Sequence, residues 1–385
     1  MNAILGFALG VNAFFIPFVQ QAFNVTTMMS YLIMAATFSA YLVFGGVAGK
    51  ILIKAGYKGG MIIALILMAV GFLMIVPAAM IVSFPLFLVA LFVNGLGQAL
   101  LTSAYSTYVS IIGSPDGAAA RISFMGINAK VFYAMASFIL AFFIDLTNVK
   151  ISDAITPFYV ISAIFLVMGV VYYFSPLPEV KAIGEDADDS ENENISVYAN
   201  SKKSIWQFPH LLLGVIAVFF TVGAEYLALG TINDFAKNIG LSNPQNYVWL
   251  VSFAMIMGYL FGILFIPKYL SQTNALVICT ILGLIVTLMI LILPISIAIY
   301  LVPVLGMANA LLWPAVWPLS IADLGKFTKS GSSLLLTGII GAGLISLLFG
   351  FLAQEYSYQL AYAIGIPSYL FIFYFALWGS KIRTN

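Results

Sequence analysis

Apolar residues follow one another along this chain in long runs, each closed by a charge, by Pro or Gly, or by a cluster of polar residues. Twelve such runs fall near 1–20, 29–48, 60–81, 84–112, 119–145, 154–174, 208–232, 246–267, 273–293, 295–322, 331–353 and 358–379. A bilayer core about 30 Å thick needs about 20 apolar residues per helix, so each run predicts a membrane-spanning helix. The fold class expected is an all-α polytopic membrane protein. The division between the ninth and tenth spans rests on Pro294 with almost no linker around it. The first run begins at Met1 with no basic segment before it and no small-residue cleavage site after it, which predicts a retained span.

The pattern breaks once. Between Ser175 and Gln207, seven acids (Glu179, Glu185, Asp186, Asp188, Asp189, Glu191 and Glu193) crowd into fifteen residues, half of the chain's 14 acids. This run lacks the Gly and the alternating ligands of a calcium loop and reads as a solvated linker. It divides the molecule into an N-terminal six-helix bundle over 1–174, an acidic linker over 175–207 and a C-terminal six-helix bundle over 208–385.

Composition agrees with the runs. Of 385 residues 63% are hydrophobic and only 8% charged, too few to solvate a soluble body of this size. A net charge of +1 with scattered bases gives no phosphate-tracking stripe, which excludes a nucleic-acid partner. The positions of the bases predict orientation. Assigning alternate loops to opposite sides puts 12 of the 15 Lys and Arg on one side and only Lys150 and Lys237 on the other, with Lys130 left inside a helix. Positive charge is retained in the cytoplasm, so both termini and the linker are expected there, in a cytoplasmic (inner) membrane. The single Cys279 lies in an apolar run and reads as a small buried hydrophobe.

The two halves repeat one another weakly. Ile112-Gly113 and Gly126-Ile127 match Leu324-Gly325 and Gly338-Ile339 at an offset of 212; Gln98-Ala-Leu-Leu101 matches Asn309-Ala-Leu-Leu312 at 211; Gly10-Val-Asn12 matches Gly223-Ala-Glu225 at 213. Three matches in order at nearly one offset predict two copies of a six-helix bundle, an arrangement shared by one large class of secondary transporters.

Charge at bilayer depth costs at least about 2.5–3.5 kcal/mol per residue and marks a pathway or a paired site. Glu225 in the seventh run and Lys130 in the fifth are the two candidates, as a proton-coupling group or as an ion pair. Uncharged hydrogen-bonding groups gather at Asn12, at Gln98 and Thr102, at Asn128 and at Asn309, beside Trp313 and Trp317. Neutral donors and acceptors with aromatic faces suit a hydroxyl-rich neutral ligand such as a sugar. The same groups also serve as interhelical glue. His210 reads as an interfacial cap. There is no His-Glu-x-x-His, no paired-acid cluster and no Gly-x-x-x-x-Gly-Lys-Ser/Thr, so metal hydrolysis and ATP-driven pumping are not expected, and no cofactor is implied.

Several stretches carry a family resemblance: Asn12-Ala-Phe-Phe-Ile-Pro-Phe18, Gly49-Lys-Ile-Leu-Ile-Lys-Ala-Gly-Tyr-Lys-Gly59, Tyr108-Val-Ser-Ile-Ile-Gly113, Arg121-Ile-Ser-Phe-Met-Gly-Ile127, Gln207-Phe-Pro-His-Leu211 and Leu324-Gly-Lys-Phe-Thr-Lys-Ser-Gly-Ser-Ser333. Together they resemble the fucose:proton symporter family of the major facilitator superfamily, nearest its glucose/galactose branch. The resemblance implies alternating access, a hexose such as glucose, galactose or fucose, and coupling to a proton or to sodium. It matches Glu225, Lys130 and Asn12 to the family's helix-seven glutamate, helix-five lysine and helix-one asparagine. The sequence departs at Ala13, where fucose permeases carry an aspartate, at Thr102, where the family has an acid or glutamine, and at Ala129, where it has an asparagine that here stands beside it as Asn128. A uniporter without ion coupling and a lipid transporter of the same fold are the rival expectations. A monomer is expected.

Overall fold

The computed structural model describes all residues except 112–117, 147, 179–200, 267, 325–326 and 385. The described chain is helical throughout. In order it comprises α1 (Asn2–Ala22), α2 (Thr27–Leu52), α3 (Lys54–Met80), α4 (Phe84–Ile111), α5 (Ala118–Leu140), α6 (Ile155–Phe174), α7 (Pro209–Leu229), α8 (Ile232–Asn238), α9 (Tyr247–Phe265), α10 (Gln272–Ile292), α11 (Ile295–Asn309), α12 (Leu312–Ile321), α13 (Thr328–Thr337), α14 (Gly341–Glu355) and α15 (Gly365–Leu377). Among the described residues eleven segments are long and apolar enough to cross a bilayer, and α5 adds a shorter apolar stretch, Phe124–Leu140. The protein is a multi-pass membrane protein. Large apolar side chains such as Phe142, Val167, Phe174, Leu264 and Ile292 stand outward, as a lipid solvent allows.

Four boundaries differ from those the sequence predicts, each for a physical reason. The stretch 49–59, expected as a loop, is helical on both sides of Gly56, where φ of 69° and ψ of 176° kink the chain near the start of α3. Only glycine takes that conformation without cost. The seventh span stops at Leu229 and resumes as α8. The tenth is broken at Ala310 and Leu311, one turn ahead of Pro314, whose ring would collide with the carbonyl four residues back. The eleventh divides at a single tight turn, Gly338–Ile340. Pro294, by contrast, separates the ninth and tenth spans as expected, capping α11 in extended conformation.

The first six spans pack on one another and the last six on one another, with small residues at the crossings. A Cβ on Gly6 or Gly10 of α1 would overlap the α5 backbone carbonyls of Ala129 and Tyr133. In lipid, apolar contact gives no net drive to helix association, so such close approach and polar bonds hold helices together. Among the contacts between the halves are α5 against α9, where Phe138 and Trp249 meet at 6.5 Å, and α2 against α14, where a Cβ on Gly343 would lie 2.8 Å from Ala35 Cα.

The ends of the molecule are distinct. The Met1 amino group donates to Tyr172 Oη at 3.4 Å, Lys58 Nζ to the Ser175 carbonyl at 2.9 Å, and Tyr108 Oη to the Pro178 carbonyl at 3.0 Å. Gly379 packs near Leu213 at the start of α7. Both termini and the linker's described ends therefore share one end of the bundle, the linker end. The turns at 23–26, 81–83, 239–246 and 293–294 form the far end. Cys279 is buried within α10.

Candidate functional site

Lys130 and Glu225 form a salt bridge that joins α5 of the first half to α7 of the second, with 11% and 12% of their side chains exposed. Each solves the other's problem, since a buried charge without a partner is strongly destabilising. The pair is surrounded by tyrosines. Tyr133, one turn beyond Lys130, and Tyr226 and Tyr259 are fully buried within electrostatic reach of Glu225. Tyr226 packs edge-on against Phe38 at 4.8 Å, and Phe38 lies 5.7 Å from Tyr41. This aromatic line leads from the pair to the polar groups of α4.

There, Tyr41 Oη and Thr102 Oγ1 are 3.2 Å apart, and Thr102 also donates to the Gln98 carbonyl at 2.8 Å. Gln98 Nε2 donates to Asn94 Oδ1 at 2.6 Å, and Asn94 Nδ2 to the Met68 carbonyl at 2.9 Å. Asn12 Nδ2 donates to Thr37 Oγ1 at 3.1 Å. Four buried polar atoms in this region have no protein partner: Asn12 Oδ1, Gln98 Oε1, Tyr133 Oη and Thr221 Oγ1. They sit on α1, α4, α5 and α7. Thr221 is one turn before Glu225, and Tyr133 one turn after Lys130, so both lie on the faces that carry the pair.

The remaining candidates are placed differently. Asn128 is half-buried two residues before Lys130, a step of about 200° that turns it away from the pair. Asn309 spends both ends of its amide: Nδ2 donates to the Ala224 carbonyl at 2.8 Å and Oδ1 accepts from Tyr369 Oη at 2.6 Å. It thereby pins α11 to α7 beside Glu225. Trp313 is half-buried with its ring 5.0 Å from that of Trp317. Gln272 Nε2 donates to the Pro314 carbonyl at 2.6 Å, the carbonyl that Pro318 cannot serve. His210 Nε2 lies 2.8 Å from the Ala322 carbonyl, joining the start of α7 to the end of α12.

A second polar centre was not marked by the sequence pattern. Asp234 of α8, 2% exposed, accepts from Gln20 Nε2 at 3.1 and 3.2 Å, from Tyr31 Oη at 3.2 Å and from Tyr358 Oη at 2.8 Å. Lys237 Nζ donates to the Pro17 carbonyl at 2.8 Å. The seventh apolar run closes at residue 232, so this acid and base lie just past it, and of the two only Lys237 entered the sequence pattern, as a loop base. The signal available was their spacing of three, which puts both on one helical face.

Comparison with known proteins bears on all of this. The chain is 29% identical over 389 residues to the glucose/galactose transporter of Brucella abortus (strain 9-941), covering 98% of this chain and 91% of that protein. It is 26% identical over 406 residues to a putative glucose/galactose transporter of Helicobacter pylori (strain ATCC 700392 / 26695), covering 99% and 95%. It is 24% identical over 410 residues to the L-fucose-proton symporter of Escherichia coli (strain K12), covering 98% and 91%. Among solved structures, a variant of the E. coli fucose:proton symporter superposes with a TM-score of 0.73 at 22% identity, over 100% of this chain and 97% of that one. The inward-open xylose transporter of E. coli gives 0.70 at 13% identity, over 97% and 93%. The sequence profile of the Major Facilitator Superfamily matches residues 1–338, and the chain belongs to that superfamily of membrane transporters.

Proposed function

We propose that this protein takes up a hexose across the cytoplasmic membrane by alternating access, driven by protons, with both termini in the cytoplasm and the halves 1–174 and 208–385 moving against each other. The observation that carries the sugar is the set of four partnerless buried atoms, Asn12 Oδ1, Gln98 Oε1, Tyr133 Oη and Thr221 Oγ1. A buried polar group without a partner costs about 1–3 kcal/mol. Sugar hydroxyls, each donor and acceptor at once, satisfy two amide oxygens and two hydroxyls; an apolar ligand leaves all four unpaired. Among the described residues an anion finds only Lys130 at this depth, already neutralised by Glu225. The names of the relatives, glucose/galactose transporters and L-fucose-proton symporters, support the same reading.

Glu225 is the proton carrier in this reading. Protonation removes its charge and with it the attraction that ties α5 to α7, so each proton taken up loosens one link between the halves. The rival is a uniporter, which the internally neutral pair favours, since such a pair can serve as a static link. Purified protein in proteoliposomes separates the two. With labelled glucose, galactose and fucose and an alkaline interior, a proton symporter accumulates sugar above the external concentration and loses it on adding an uncoupler. Equilibration without accumulation identifies the uniporter. Absence of saturable uptake for every hexose overturns the substrate assignment, and accumulation driven by sodium at equal pH overturns the proton.

A further inference from the structure

The seventh span carries a device beyond the central pair. Past Leu229 the helix is interrupted at Gly230 and Thr231. The interruption is chemically closed: Thr231 Oγ1 donates to the Leu227 carbonyl at 2.6 Å and lies 2.7 Å from Tyr362 Oη. The short α8 that follows turns three polar side chains toward the other half. Asn233 Nδ2 donates to Ser137 Oγ on α5 at 3.3 Å. Asp234 accepts from Gln20 at the end of α1 and from Tyr31 in α2. Lys237 reaches the Pro17 carbonyl of α1. From its own half Asp234 accepts from Tyr358 Oη, and Lys237 stands within electrostatic reach of it.

Such bonds suit a joint that must open. Apolar side chains at the interface have no drive to stay together in lipid, whereas a carboxylate held by neutral donors binds firmly when dry and exchanges those donors for water when wet. Asp234 and its tyrosines are buried, at 2% for Asp234, 0% for Tyr31 and 6% for Tyr358. The cluster stands at the far end, the end opposite the linker. We propose that α8 is the gate of the far mouth and that Asp234 is its latch: Gln20 and Tyr31 are released when the mouth opens, while Tyr358 keeps the carboxylate on its own half. This inference rests on the alternating-access reading above. Asp234 acts through the gate, not on the sugar.

Ser137 reports on the gate, because it is fully buried beneath α8. With Cys279→Ser removing the native thiol, Ser137→Cys is exposed to a membrane-impermeant maleimide from the far side, in cells and in vesicles of known sidedness. Asp234→Asn removes the charge and turns an amide N–H toward Gln20. It is expected to raise the labelling rate about tenfold over Ser137→Cys alone, and Tyr31→Phe about threefold, because a bond to a charged group is lost in each. Should Asp234→Asn not fold, Tyr31→Phe and Gln20→Ala decide the matter. Rates within about twofold of the parent in every folded variant overturn the gate. Adding hexose keeps this outcome distinct from the substrate reading. Labelling that responds to Asp234→Asn but not to any hexose upholds the gate and counts against the sugar; labelling that responds to hexose alone does the reverse.

Discussion

At the scale of single residues, the Lys130–Glu225 pair makes a prediction about what a charge costs here. Removing either partner alone strands the other charge, a penalty of about 3–5 kcal/mol in a buried site, so Lys130→Gln and Glu225→Gln should each lower thermal stability. The double variant strands nothing. It is expected to recover most of the lost stability, by thermal unfolding in detergent, yet to show no proton-driven accumulation; accumulation by the double variant would overturn the role of Glu225. The partnerless hydroxyls reverse this logic. Tyr133→Phe and Thr221→Val remove groups that bond nothing in the protein, so stability should hold or rise slightly. Transport KM for the sugar should rise by about 2–10-fold, one hydrogen bond each. A fall in stability with KM unchanged would make both groups structural. These two charges were legible in the sequence because charge is scarce in apolar runs. The two hydroxyls and Asp234 were not: the hydroxyls are among many in the chain, and the partners of Asp234 lie 214, 203 and 124 residues away.

At the scale of elements, hydrophobic runs locate helices well and their interruptions poorly. Run length counts apolar residues, and Gly230, Thr231, Ala310 and Leu311 do not end a run. The break at Ala310 and Leu311 is set by backbone chemistry, the ring and missing N–H of Pro314. Pro318 does not end α12, but it leaves the Pro314 carbonyl without its helical donor, and Gln272 at the start of α10 supplies one from another span. Gln272→Leu removes that donor and keeps the bulk. It should cost about 1–3 kcal/mol of stability as the carbonyl goes unpaired, with α10 and α12 drifting apart. Gln272→Glu presents an acceptor to an acceptor when ionised and should be worse. Equal thermal stability of wild type and Gln272→Leu would mean that another group serves the carbonyl.

At the scale of the whole molecule, the all-helical, membrane-spanning plan follows from the runs, whereas how the helices of 1–174 meet those of 208–385 does not. The contacts pair residues from distant runs, and a single run names only one side of each: Tyr31 under Gly350, Ala35 against Gly343, Phe138 near Trp249. At the far end the Met28 amide donates to Gln354 Oε1 at 3.1 Å, joining the start of α2 to the end of α14. Neither residue lines the central pair, and both stand at the surface. If transport requires the far mouth to open, tying these two positions together must stop it without touching the sugar site. Met28→Cys and Gln354→Cys in the Cys279→Ser background, joined by a short bismaleimide, are expected to lose transport in both directions while still binding hexose from the linker side. Each single cysteine treated the same way should transport normally. Undiminished flux through the cross-linked protein would show that the halves do not separate there, and the cycle would have to be carried by smaller movements around Lys130 and Glu225.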